Sequence, residues 1–173
     1  DPAMTFNPSP AELRTFLEGP DRFIAYDTET DSLEPTTANV RTYQFGTADR
    51  AVSVCFRSLN GNGFYGPEDE DDIKTIIRDF LTGPKVKVGH NAGYYDAMID
   101  KQFLGVEARP LIDTILVAAG VESELPKSLG FLGTYMTDVH AWKSSHTAVN
   151  AQTDEELWRY GCLDTVVNAR IFP

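Results

Sequence analysis

Phe23-Ile24-Ala25-Tyr26-Asp27-Thr28-Glu29-Thr30 is the stretch on which the chain turns. Four mostly apolar residues read as a buried strand, and two carboxylates follow at i and i+2. Strand side chains alternate between faces, so Asp27 and Glu29 share a face, about 7 Å apart along the chain. Like charges so placed repel unless a cation lies between them, and a divalent metal ion is the usual answer. Two plainer readings compete. An isolated D-x-E is commonly a polar strand end entering a turn. Asp27, Glu29 and Asp31 also alternate as in a calcium loop. There the sixth position would be Ser32 in place of Gly and the twelfth Ala38 in place of Glu, which rules that loop out.

Outward from this strand, the pattern alternates. Upstream, Ser9-Pro10-Ala11-Glu12 is a helix start, with Ser9 as N-cap, Pro at N1 and Glu12 closing a capping box. Leu13, Phe16 and Leu17 form its apolar stripe, and Gly19-Pro20 ends it. Downstream, Val40 to Ala48 and Ala51 to Phe56 read as strands of a hairpin joined at Asp49-Arg50. Residues 58–67, rich in Gly and Asn, form a loop. The acidic run Glu68 to Asp72 suits a helix N-terminus. Ile73, Ile76, Ile77, Phe80 and Leu81 then follow at helical spacing. Lys85 to Gly89 is a fourth strand, Tyr94 to Phe103 a helix, and Leu111-Ile112 the end of a fifth strand. Asp113 opens a helix through Val121, and Ser128 to Tyr135 forms another. His140 to Thr153 is irregular, and Asp154 starts a last helix ending near Arg170. Strands first, then strands alternating with helices, predict an α/β fold with a mixed sheet covered by helices.

The 173 residues suit one domain. Asp1-Pro2-Ala3 ahead of Met4 reads as a cloning remnant, so the domain is taken as residues 4–173. No apolar run approaches the length of a membrane span, and no secretory leader is visible. Cys55 and Cys162 are far apart and fit a reduced, cytoplasmic setting. The net charge is -11, which argues against a free-standing, non-specific nucleic-acid binder. His90, His140 and His146 share no metal-like spacing.

Further carboxylates stand out downstream. Asp96 follows the fourth strand in His90-Asn91-Ala92-Gly93-Tyr94-Tyr95-Asp96; it could be a solvated helix residue, and Asn91 could simply cap that helix. Tyr160 and Asp164 fall at i and i+4, on one helical face, which Leu157 and Ile171 extend. Asp164 therefore looks partly buried, and a buried carboxylate needs a metal or another partner. Gly161 in mid-helix costs about 1 kcal/mol against Ala, a sign that something packs closely there.

Taken in order, D-x-E on a first strand, N-x3-[YF]-D on a later helix and Y-x3-D on a last helix resemble the DEDD superfamily of 3′–5′ exonucleases. The motifs stand here as Asp27-Thr28-Glu29, Asn91 to Asp96, and Tyr160 with Asp164. A His-bearing branch would need His where Arg159 stands, so Tyr160 selects the Tyr-bearing branch. Asp27-Thr-Glu-Thr-Asp-Ser-Leu33, Lys87-Val-Gly-His-Asn91, Asp113-Thr114 and Ser128-Leu129-Gly130 are similar to the proofreading domain of family A (polymerase I type) DNA polymerases. The resemblance spans Met4 to Pro173. It departs by one extra residue between Asn91 and Asp96 and by a short region between Tyr135 and Thr153.

The resemblance implies an RNase H-like mixed sheet of about five strands flanked by helices. It implies hydrolysis of single-stranded DNA 3′ ends to nucleoside 5′-monophosphates with two divalent ions, Mg²⁺ or Mn²⁺. Asp27, Glu29 and Asp164 would hold one ion; Asp27 would bridge to a second, completed by Asp96 through water. Tyr160 would orient the attacking water, since an ordinary tyrosine pKa of about 10 suits a poor general base. Thr28, Thr30, Leu33 and Asn91 become candidate substrate contacts, with Leu33 a wedge against the terminal base or a core leucine. Trp142 would stack on an unpaired base or belong to the core. A polymerase domain, in cis or in trans, is the implied partner, with a nucleoid- or replication-associated location. Two rivals remain. One is an RNase D-like exoribonuclease, whose relatives usually carry a bulky aromatic where this chain has Thr30. The other is a silent nucleic-acid-binding module, which would typically have lost motif carboxylates.

Overall fold

The computed structural model describes residues 2–121, 123–139 and 151–172. In chain order the elements are β1 (Ala3–Phe6), α1 (Pro10–Glu18), β2 (Phe23–Thr30), β3 (Val40–Gly46), β4 (Arg50–Cys55), α2 (Pro67–Thr82), β5 (Val86–Gly89), α3 (Tyr95–Phe103), β6 (Leu111–Asp113), α4 (Thr114–Val121), α5 (Leu129–Met136) and α6 (Asp154–Ile171). The strands form one sheet in the order β1-β4-β3-β2-β5-β6. β2, β3 and β4 pair antiparallel, while β1 joins β4, β5 joins β2 and β6 joins β5 in parallel.

The sheet therefore has six strands, not five. The extra one is β1, whose first residue, Ala3, pairs with Arg50. It begins inside the segment read as a cloning remnant. Four residues at a sheet edge, alternating exposed and half-buried, carry too little apolar pattern to announce a strand. The β3–β4 connection is also shifted: Thr47 to Asp49 form the turn, with the Thr47 N–H donating to the Arg50 carbonyl at 2.8 Å. Asp113 both ends β6 and opens α4, its Oδ1 accepting the Ile115 N–H at 3.1 Å.

Each helix forms for a local reason. At α1 the capping box is complete, Ser9 N–H and Oγ both donating to Glu12 Oε2 at 2.8 Å. α2 places Glu68, Asp69 and Glu70 in its first turn and buries Ile73, Ile76, Ile77, Phe80 and Leu81, the stripe that the spacing predicts. These side chains pack with Leu13, Phe16 and Leu17 against Ile24, Tyr26, Tyr43, Phe45, Val52 and Val54, forming the main core. The opposite sheet face receives α6, through Ala25, Val88 and Ala169 and through Ala51, Cys162 and Val166. α5 covers α6 in turn, with Leu129 and Leu132 against Val167 and Ile171. Cys55 and Cys162 are free and buried. Burial pushes both thiols up, which leaves them poor nucleophiles. Among the described residues no helix is long and apolar enough to cross a membrane.

Candidate active site

β2 separates two environments because its side chains alternate. Its even-numbered residues face α3. Tyr26 Oη donates to Asp100 Oδ2 at 3.0 Å, Thr28 Oγ1 donates to Asp96 Oδ1 at 2.6 Å, and Thr30 Oγ1 lies 2.5 Å from Tyr95 Oη. Its odd-numbered residues face α6: Phe23 and Ala25 pack with Ala169 and Phe172, and Asp27 and Glu29 come next along the same face. A cleft of about 580 Å³ opens there, at the strand's C-terminal end. Asp27, Glu29, Asp164 and Tyr160 line it together with Thr28, Thr30 and Leu33.

α6 carries Tyr160 and Asp164 into this cleft. The helix begins where Thr153 Oγ1 accepts the Glu156 N–H at 3.2 Å, with Asp154, Glu155 and Glu156 in its first turn. Cys162, Val166 and Ala169 seat it on the sheet. Asp164 is only 6% exposed, as the helical face predicts. Gly161 explains how the helix comes so close. A Cβ at this position would lie 2.5 Å from Cδ of Gln44 on β3, so only glycine lets the Tyr160–Asp164 turn rest on the sheet.

Asp96 differs from its expected place. It is 3% exposed, which excludes a solvated helix residue, but it does not line the cleft. Its carboxylate lies on the α3 side of β2, bound to Thr28. Burial pushes its pKa well above the usual carboxylate range, against the lowering pull of the Thr28 hydroxyl; the Asp100 charge one turn away adds to the rise. Asp100 itself accepts from Tyr26 and, at 2.8 Å, from Tyr43 Oη. Burial raises it to about 6 despite these two donors.

The expected substrate contacts divide. The Thr28 and Thr30 hydroxyls are engaged within the protein, Thr30 Oγ1 lying 2.7 Å from the Ser32 carbonyl as well as beside Tyr95 Oη. Leu33 is 88% exposed at the rim of the cleft, so it is not a core leucine. Asn91 is exposed outside the cleft, with φ at 62°. Its N–H and that of Gly93 donate to the two oxygens of Asp113 at 2.8 and 2.9 Å. Its carbonyl accepts from Tyr94 and Tyr95 at 3.3 and 3.1 Å, so the backbone of Asn91, not its side chain, leads into α3. Trp142, like His140 and His146, lies outside the described residues. His90 Nδ1 lies 2.9 Å from Thr114 Oγ1, a structural contact.

Sequence reasoning quoted Tyr95 within the motif but gave it no role, and it missed Asp100 and Arg41. Tyr95 Oη donates to the Ser32 carbonyl at 2.5 Å, which anchors the segment after the motif. Asp100 was within reach: it follows Asp96 at i+4 and so shares its helical face. Arg41 is the one cation among the described residues lining the cleft.

The donor set suits hard divalent cations, since Asp27, Glu29 and Asp164 offer carboxylate oxygens to a single cleft. Among the described residues no three His, Cys, Asp or Glu side chains are already gathered as a metal cage.

The fold is shared with known nucleases. Brucella melitensis NrnC with bound Mg²⁺ matches with a TM-score of 0.71 at 17% identity, over 98% of this chain and 78% of that one. The catalytic core of RRP6 from Trypanosoma brucei gives 0.72 at 16% identity, over 99% and 45%. Escherichia coli RNase D, an exoribonuclease involved in structured RNA processing, gives 0.63 at 19%, over 95% and 42%. At these identities the likeness is one of fold. A comparison with curated protein sequences finds no match. The 3′–5′ exonuclease family model, however, matches residues 9–173, a span that takes in all three DEDD motifs, and the chain therefore belongs to the 3′–5′ exonuclease family.

Proposed function

We propose that this exonuclease removes nucleotides one at a time from the single-stranded 3′ end of DNA, as the proofreading partner of a polymerase domain in cis or in trans. The observation that carries this reading is the meeting of Asp27, Glu29, Asp164 and Tyr160 in one cleft at the end of β2. Two things favour DNA: Thr30 follows the motif glutamate where RNase D-like chains usually carry a bulky aromatic, and the matching family model is the DNA polymerase A type.

Two divalent ions, Mg²⁺ or Mn²⁺, would neutralise the phosphodiester, supply hydroxide at neutral pH and stabilise the leaving 3′-oxygen. Asp27, Glu29 and Asp164 are the groups that would hold them, with Asp96 contributing its charge from behind Thr28. Tyr160 orients the attacking water by its hydroxyl. Leu33, exposed at the rim, presses against the terminal base. The chain carries a net charge of -11, still -7 once the four site carboxylates are set aside, so few counterions are released on binding and affinity is weak. A tether to a polymerase would offset this by raising the effective concentration to roughly millimolar.

A second reading has its own support. Similar solved structures include RNase D and RRP6, so the same chemistry on RNA is a direct competitor. Single-stranded DNA and RNA oligomers of one sequence, incubated with Mg²⁺, Mn²⁺ or EDTA, separate the two. A pocket that accepts or rejects a 2′-OH will favour one of them. Faster metal-dependent release of deoxynucleotides supports proofreading, faster release of ribonucleotides supports the RNase D-like reading, and release of neither leaves a silent binding module.

A further inference from the structure

A second cleft of about 560 Å³ adjoins the first, and Asp31, Arg41 and Leu59 line both. Each volume lies within the roughly 300–1,000 Å³ typical of small-molecule sites. The charge balance reverses between them. Among the described residues, Arg41 is the one cation in the first cleft, beside Asp27, Glu29, Asp31 and Asp164. In the second, Arg41 and Arg57 face the single acid Asp31. That acid is already engaged, accepting from Asn39 N and Nδ2 at 2.7 and 2.9 Å.

The backbone builds this arrangement. Glu29 pairs with Thr42 but Thr30 pairs with Val40, so Arg41 is the extra residue of a bulge. Bulges re-aim side chains and favour the neighbourhood of active sites. The Arg41 carbonyl then accepts the N–H groups of Phe56 and Arg57, at 2.8 and 3.0 Å, which fixes the second arginine beside the first. Arg41 Nη1 donates to the Ser58 carbonyl at 2.8 Å. Arg57 reaches Glu70 with Nη1 at 3.0 Å and Nη2 at 3.5 Å. A guanidinium has five donors in a planar fork, so both retain hydrogens for a phosphate.

The geometry points to a phosphate subsite in this second cleft: a nucleotide phosphate other than the scissile one binds Arg41 at the junction and Arg57 beyond it. This rests on the nuclease reading of the adjoining cleft. The phosphate has two sources, the backbone of the strand being degraded or the released nucleoside 5′-monophosphate on its way out.

The test uses the whole chain in Ca²⁺, which replaces the catalytic ion, with fluorescence anisotropy of labelled dT2 and dT8 and their ribonucleotide counterparts. Arg41→Gln should weaken dT8 binding about tenfold, the scale of one charge-assisted hydrogen bond. It should also lower the salt slope by roughly 0.7, the value of one single-strand phosphate contact. Arg57→Gln should act in the same direction. Glu70→Gln should act oppositely, tightening binding, because it frees the Arg57 fork; a purely structural Arg57 would not show this sign. If the retained strand occupies the subsite, the Arg41→Gln effect grows from dT2 to dT8 and inhibition by thymidine 5′-monophosphate is unchanged. If the product occupies it, dT2 and dT8 are affected equally and inhibition by the monophosphate weakens in proportion. Either pattern supports the subsite. A wild type that cleaves, with all three variants binding dT8, U8 and monophosphate as it does, overturns the subsite alone. A wild type that neither cleaves nor binds overturns the nuclease reading with it.

Discussion

Replacing Asp100 by Asn should stabilise the metal-free protein at neutral pH and do almost nothing in acid. Asp100 is fully buried between two tyrosine hydroxyls, and burial lifts its pKa from 3.8 to about 6. In the unfolded chain the carboxyl ionises at its ordinary value. Between pH 3.8 and about 6 the native state therefore holds more protons than the unfolded one, and stability falls as pH rises. The loss is complete above about pH 6 and amounts to about 3 kcal/mol at 1.36 kcal/mol per unit. Asparagine does not titrate. Its oxygen accepts one phenol, and its NH₂ donates to the oxygen of the other. Urea unfolding in EDTA at several points from pH 4 to 7.5 measures the difference. The variant's advantage should grow from near zero to about 1–3 kcal/mol, the lower end allowing for imperfect repacking around the amide. Asp96, also raised by burial, still titrates in the variant, so some slope persists. A stability difference that is the same at both ends of the range would refute the reasoning.

Asp27→Ala and Asp164→Ala should reduce cleavage to background while the fold persists. In EDTA their melting temperatures should hold or rise, since each relieves carboxylate repulsion. Tyr160→Phe should lower kcat roughly tenfold or more, the worth of a hydrogen bond to the reacting water, with oligomer affinity in Ca²⁺ nearly intact; equal losses in both would mark a structural tyrosine. Gly161→Ala gains about 1 kcal/mol of helix propensity but sets a Cβ 2.5 Å from Gln44 Cδ and 2.8 Å from its Cγ. Overpacking of about 1–3 kcal/mol should win, so urea unfolding should show a net loss and turnover should fall as α6 shifts; a gain in stability would overturn the packing argument.

Much of this architecture is legible in the residues themselves. The stripe Ile73, Ile76, Ile77, Phe80 and Leu81, the Ser9–Glu12 capping box and the shared face of half-buried Tyr160 and buried Asp164 all follow from spacing, and the structure has them so. Gly161 announced a close approach, and Gln44 is what approaches. What spacing cannot carry is the choice of face for a partner distant in sequence. Alternation puts Asp27 and Glu29 on one side of β2 without saying that α3, and Asp96 with it, packs on the other. Nor does a D-x-E motif encode the register shift beside it, so Arg41 reads as an ordinary strand residue until Thr42 and Val40 are seen paired across it. β1 was lost for a simpler cause, being four residues long with no fully buried side chain.

The alternation of β2 also gives the two threonines of the motif a structural task. Tyr26, Thr28 and Thr30 bond in succession to Asp100, Asp96 and Tyr95, a ladder from every second residue of one strand to the first turns of one helix. Side chains engaged in this way hold α3 against the strand, while Thr28, Thr30 and Tyr95 also line the cleft. The opposite face is left to the carboxylates and to α6, whose close seat depends on Gly161. One strand thus presents charge on one side while the hydroxyls on its other side hold that strand in place. Substitutions at Thr28 or Thr30 should therefore act on the cleft from behind, through the placement of Asp96 and of the 30–33 segment that carries Leu33, before any direct loss of contact with substrate.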